Sequence, residues 1–174
     1  MASALPKLIG VVGAGQMGAG IAQVAAACGF SVLLVDRGFE QLVKAQAAIR
    51  DSLSRLAKKG RLAEPEVEAT LGRLEAATDL AALSRADYII EAVPESEQLK
   101  CAVFRELDRL LPQDSILASN TSSIRCGLWP RLCPRLWATG TLHGQRQAPL
   151  SLFAASLGWR RPQAGRIRLW DSTL

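Results

Sequence analysis

The 174-residue chain has one histidine, His143, one tyrosine, and four cysteines without a CxxC pair. With no second histidine to join them, Cys28, Cys101, Cys126 and Cys133 have neither the spacing of a zinc site nor that of a dense disulfide framework. Free thiols in a reducing compartment are the expectation. Apolar stretches are short. Ile21–Val35 is interrupted by Gln23, Gly29 and Ser31, so it reads as helix, turn and strand rather than a membrane span. The N-terminus lacks the layout of a secretion signal, since Lys7 leads straight into an apolar run broken by glycines. Internal repeats and low-complexity tracts are missing as well. A soluble intracellular protein is expected, with cytoplasm, peroxisome and mitochondrion all open; the terminal STL is not a peroxisomal SKL.

Lysine is missing from one region in particular. Residues 125–174 hold eight Arg, no Lys and a single acid, Asp171, together with all four tryptophans (Trp129, Trp137, Trp159, Trp170) and half the prolines. Residues 1–124 hold 13 Lys and Arg against 15 Asp and Glu. The formal charge of +5 therefore describes neither part. With 49% apolar and 21% charged residues, disorder throughout is excluded and a sizeable core is affordable at this length.

What is present before Ile124 is ordered and periodic. "KLIGVVGAG", Lys7 to Gly15, is a β-branched run ending in glycines, as a buried parallel strand would be. "QMGAGIAQVAAACG" is an Ala-rich helix stopped at Gly29, and Phe30–Asp36 is a second buried strand, which completes a βαβ unit. A long helix is predicted over about Glu40–Lys59, with Leu42, Val43, Ala45, Ile49, Leu53 and Leu56 on one face. Glu64-Pro65 opens another, to about Leu74. Ala86–Val93 is a strand, Glu95–Leu111 an amphipathic helix closed by Pro112, and Asp114–Asn120 one more strand. The fold class is α/β, a Rossmann-type parallel sheet with helices on both faces and a helical excursion. Past Ile124 only "LWATGTLH", Leu136–His143, suggests a strand.

Gly13-x-Gly15-x-x-Gly18 lies where a strand feeds a helix. Gly13 permits the tight turn, Gly15 lets the backbone approach a pyrophosphate, and Gly18 lets strand and helix pack closely, while the helix N-terminus offers free N–H groups to phosphates. Asp36 ends the second strand where an acid accepts from a ribose 2′-hydroxyl. A carboxylate there repels a 2′-phosphate and favours NAD over NADP, slightly opposed by Arg37. A glycine-rich turn that binds nothing is the alternative. "EAVPE" and "SNTSS" each follow a strand at the carboxyl edge, where open α/β sheets bind ligands; ordinary loop caps are the alternative there.

Taken together, "IGVVGAGQMGAGIAQVAA", "YIIEAVPE" followed by Lys100, "ILASNTSSI" and the helical excursion "IRDSLSRLAKKGRL" closely resemble the 3-hydroxyacyl-CoA dehydrogenase family, over residues 7–124. The resemblance implies an NAD-binding Rossmann domain and oxidation of a 3-hydroxyacyl-CoA to a 3-oxoacyl-CoA, with an acyl-CoA substrate and neither nucleic acid nor membrane as partner. It implies that Gly13, Gly15, Gln16, Met17 and Gly18 hold the cofactor's pyrophosphate region and Asp36 the adenosine ribose. Glu95 and Lys100 fall near the nicotinamide end. Ser122 and Asn120 would bind and position the substrate oxygen, and Ser52 and Lys59 would contact coenzyme A.

The resemblance stops in mid-motif. His143 falls about where the family places its general base, but no Phe-Phe-Asn-Pro follows it, and Ala155 stands where an orienting Glu belongs. A base without that partner loses control of tautomer and geometry. The family's second, helical domain, which carries its dimer contacts, is expected to be missing. Residues 1–124 are thus expected to form the cofactor domain, and 125–174 a divergent, poorly ordered tail. The bias to Arg, Trp, Cys and Pro suits GC-rich sequence translated out of frame or a retained intron. A purposeful new segment is the alternative. The functional expectation is an NAD-binding domain with little or no turnover, marginal in stability and prone to aggregate. A non-catalytic regulatory module and an Arg/Trp tail that binds RNA or an acidic membrane are the competing readings.

Overall fold

The computed structural model of the chain describes residues 8–112, 115–120 and 136–138. The strands are β1 (Leu8–Val12), β2 (Ser31–Val35), β3 (Leu74–Ala77), β4 (Tyr88–Glu91), β5 (Ile116–Ser119) and β6 (Leu136–Ala138). The helices are α1 (Gln16–Ala27), α2 (Phe39–Lys58), α3 (Glu64–Leu71) and α4 (Glu97–Leu110), with a 3₁₀ turn over Leu80–Arg85. All strand pairs are parallel, in the order β3-β2-β1-β4-β5-β6. That is the Rossmann order, in which chain direction across the sheet reverses between β1 and β4.

The strands read as unbroken apolar runs because the sheet is covered on both faces. Every residue of β1 and of β4 is buried, and a strand buried on both sides cannot alternate polar and apolar. One core cluster joins Leu8, Val12, Leu33 and Ile89 of the sheet to Val103, Phe104 and Leu107 of α4 and to Leu80 and Leu83 of the 3₁₀ turn. Burial of so many large side chains, at about 1.5–3 kcal/mol each, is the main force holding the sheet together. α1 packs against the sheet through Gly18, Ala19, Ala22, Ala25 and Ala26, small residues that let the helix lie close. It stops at Gly29, whose φ of 94° lies in the left-handed region that glycine tolerates.

Three local expectations need correction. α3 ends at Leu71 with Gly72 as its cap, so Leu74 opens an unforeseen strand, β3. "LEAA" lacks β-branched residues and is half-exposed, as an edge strand can be, and so carries no strand signal. The 3₁₀ turn was hidden for a similar reason: it begins on Asp79, whose side chain caps Ala81 N at 2.9 Å. On α2, Leu42, Ala45, Ile49 and Leu53 are buried as expected, but Val43 is 49% exposed, one position off the buried stripe. β6 comes from beyond the Ile124 seam and pairs with β5 from Leu117↔Leu136 to Ser119↔Ala138.

Candidate functional site

Strand register lines up one row of residues along the carboxyl edge. Val12 is level with Val35 on one side and Glu91 on the other, and Glu91 is level with Ser119. The chain turns immediately after each of them, so Gly13, Asp36, Ala92 and Asn120 form one row at the switch point between β1 and β4, where open α/β sheets have their binding crevice.

On the β1 side the rim is backbone. Gly13 adopts φ 101° and donates its N–H to Val35 O at 2.8 Å. A Cβ at Gly18 would lie 1.7 Å from Gly13 O, so only glycine lets the first turn of α1 close on the loop. Gly15 is different: a Cβ there would meet nothing within 4 Å. Its absent side chain leaves open space next to the helix start, the gap a phosphate group needs. Gln16 and Met17 flank it and are exposed.

The α1 N-terminus is also chemically bare. Its N-cap, Gly15, makes no side-chain cap, and its first turn holds no acid. The other described α-helices all carry an acid there: Glu40 on α2, Glu64 and Glu66 on α3, Glu97 on α4. α4 is in addition capped by Ser96, and the Glu66 carboxylate of α3 accepts from Ala63 N. Free N–H groups and an unopposed helix dipole at α1 suit an anion.

Asp36 supports the same loop. Its carboxylate accepts from Ala14 N at 2.8 Å and from Gly38 N at 2.9 Å, tying the glycine turn to the end of β2. Each carboxylate oxygen has a second lone-pair direction, which suits Asp36 to accept from a hydroxyl as well. Gln41, in the first turn of α2, donates from Nε2 to Ala14 O at 2.9 Å. It was not anticipated; its only sequence signal is its position five residues after Asp36.

On the β4 side the rim is charged and sealed. The side chains of Glu91 and Lys100 are both fully buried, with Lys100 Nζ 2.7 Å from Glu91 Oε1. Glu91 also accepts from Val93 N at 2.7 Å and from the Ser119 hydroxyl at 2.5 Å. Lys100 donates to Val93 O at 3.3 Å and stands 3.7 Å from the Glu95 carboxylate. Glu95 is 47% exposed. Lys100 therefore lies beneath the loop after β4, with Glu95 above it. Asn120, half-buried, donates its backbone N–H to Glu91 O at 2.8 Å. Sequence reading missed Glu91 and Ser119 as a unit. The available signal was a glutamate closing an apolar strand, since a buried charge demands a partner.

The remaining candidates are elsewhere. Ser52 is half-buried and Lys59 exposed; Lys59 closes α2, about 30 Å along that helix from the glycine loop at 1.5 Å per residue. Ser122 and His143 lie outside the described residues, as does Ala155. Of the cysteines, Cys28 is exposed and Cys101 buried, and both are free; Cys126 and Cys133 are outside the described residues. No helix among the described residues is long and apolar enough to cross a membrane, and they hold no cluster of metal-ligating side chains.

Comparison with known proteins bears on the crevice directly. Residues 8–128 match the family model of the 3-hydroxyacyl-CoA dehydrogenase NAD-binding domain. The chain belongs to the 3-hydroxyacyl-CoA dehydrogenase family. It is 45% identical over 115 residues to a probable 3-hydroxybutyryl-CoA dehydrogenase of Deinococcus radiodurans, covering 66% of this chain and 41% of that protein. It is 43% identical over 127 residues to the mitochondrial hydroxyacyl-coenzyme A dehydrogenase of Rattus norvegicus, 70% of this chain and 40% of that one. The crystal structure of (S)-3-hydroxybutyryl-CoA dehydrogenase from Ralstonia eutropha superposes with a TM-score of 0.74 at 34% identity, over 76% of this chain and 48% of that chain. The chain thus spans about two-fifths of the length of the curated relatives it matches. The cofactor of this 3-hydroxyacyl-CoA dehydrogenase domain is NAD, and the open, uncapped glycine turn fits a dinucleotide's pyrophosphate.

Proposed function

We propose that the chain holds NAD across the switch-point crevice and turns over 3-hydroxyacyl-CoA slowly or not at all. The observation that carries the binding half is the bare N-terminus of α1 behind an open Gly15, alone among the described α-helices in lacking both a cap and an acid. In this reading the N–H groups of Gln16, Met17 and Gly18 face the pyrophosphate, and Asp36 accepts from the adenosine ribose. Its charge disfavours a 2′-phosphate. Glu95, above Lys100, faces the nicotinamide half. Ser52 and Lys59 serve coenzyme A, the lysine by attraction to phosphate.

When bound, NAD supplies the acceptor for the hydride that leaves the substrate's hydroxyl carbon. This chain's residues must then bind the substrate oxygen, through Ser122 and Asn120, and remove its hydroxyl proton, through His143. The proton step is where the sequence is weakest. His143 is the chain's one histidine and Ala155 stands where the resemblance places its carboxylate partner; without such a carboxylate an imidazole loses control of its tautomer and a charge that stabilises the imidazolium. The same weakness favours a second reading, an NAD-holding module without catalysis. Acetoacetyl-CoA-dependent oxidation of NADH separates the outcomes. A rate barely above background is expected; turnover typical of an enzyme, about 1 s⁻¹ or faster, would overturn the slow-or-absent half while leaving the binding half intact.

A further inference from the structure

An acid and a base stand side by side after β2, and the structure gives their side chains different work. Asp36 spends its carboxylate on the backbone, accepting from Ala14 N and Gly38 N. The Arg37 guanidinium reaches instead to α4, where its Nη2 lies 3.6 Å from Glu106 Oε2. The two side chains are 77% and 46% exposed, so water and dissolved ligands reach both. An exposed pair at that distance adds little to stability. Neither partner takes part in the binding proposed above, and what the contact does change is the charge on offer beside Asp36.

We propose that Glu106 is a specificity-determining residue for the cofactor, discriminating against NADP by holding Arg37. The proposal rests on the NAD reading above, which puts the adenosine ribose at Asp36. NADP differs from NAD by one phosphate on the 2′-oxygen of that ribose, and in dinucleotide folds a nearby arginine is what accommodates it. Arg37 follows Asp36 directly in the chain, and its planar fork of donors matches a phosphate. To use that fork, NADP must first break the contact with Glu106 and leave a carboxylate without its cation. Discrimination against NADP then has two parts. Asp36 repels the phosphate directly, and Glu106 withholds the base that would offset the repulsion. Because an exposed ion pair is weak, the second part amounts to a few-fold in affinity.

NADH and NADPH report the same nicotinamide by fluorescence and differ only in the 2′-phosphate, so the ratio of their dissociation constants isolates the effect. In the full 174-residue chain, Glu106→Gln is expected to tighten NADPH binding about threefold, and Arg37→Gln to weaken it about fivefold. NADH affinity should stay at the wild-type value in both. The variant with both changes should match Arg37→Gln alone, because Glu106 acts only through the guanidinium. Both side chains are exposed, so all three variants should melt near the wild-type temperature. A Glu106→Gln protein with an unchanged ratio overturns the proposal while leaving the NAD reading intact. So does a double variant that still binds NADPH more tightly than Arg37→Gln, since the Glu106 charge would then act through space and not through Arg37. Binding of neither cofactor by the wild-type protein overturns the NAD reading and this proposal together.

Discussion

Past β1, the crevice rim is backbone, bare helix N–H groups and the open space at Gly15; past β4, it is a glutamate and a lysine shut away from water. The first region works by omission. Side chains are missing at Gly13, Gly15 and Gly18, and a cap is missing from α1. The second works by commitment, with each buried charge held by named partners. Their chemistry differs accordingly. An open, polarised loop can accept an anion from solvent, whereas the sealed ion pair reaches outward only through the groups Lys100 holds, Val93 O and the Glu95 carboxylate.

The contrast predicts that the two sides break differently. Lys100→Met should be the most damaging single change, because it leaves the Glu91 carboxylate buried without its cation, at a cost of about 3–5 kcal/mol. Chemical denaturation would show it as a lowered midpoint with NADH present or absent. Gly18→Ala comes next. Its Cβ would lie 1.7 Å from a backbone oxygen, and relieving such overpacking costs about 1–3 kcal/mol. Here the larger signature is in binding, since the displaced loop should lose NADH and ADP-ribose alike; retention of either in a calorimetric titration would mean that the glycine turn is not the phosphate site.

Asp36→Ala should act on selectivity more than on stability. Removing the carboxylate unties Ala14 N and Gly38 N and deletes the ribose acceptor, for a loss of about tenfold in NADH affinity. NADPH should lose less, so the ratio of the two dissociation constants must shift towards NADPH. An unchanged ratio would put the adenosine ribose elsewhere. Gln41→Ala, the mildest change, removes one neutral hydrogen bond from the loop. It should cost about 1 kcal/mol or less, visible as a few-fold weaker binding of both ligands and no change in selectivity.

The same contrast explains what was legible beforehand. Omissions are visible in a sequence: Gly13, Gly15, Gly18 and the acid at Asp36 occupy fixed places relative to a strand and a helix, and the structure brings them together where expected. Buried apolar strands were equally plain. β3 was invisible because Leu74–Ala77 has neither β-branched residues nor a clean alternation, and its place is set by pairing with β2. The Glu91–Lys100–Ser119 cluster was unreadable for another reason. Glu91 and Ser119 are 28 residues apart and become neighbours through the parallel register of β4 and β5, while α4 brings in Lys100 from nine residues after Glu91. The resemblance places Lys100 near the nicotinamide end; that its side chain is fully buried, 3.7 Å from the Glu95 carboxylate, is a tertiary fact.

Titration of the full 174-residue chain with NADH, followed by nicotinamide fluorescence, tests the central claim most directly. Saturable binding, competed away by ADP-ribose, is the predicted result. No binding at any cofactor concentration would contradict it, leaving the crevice as an inherited shape without its ligand.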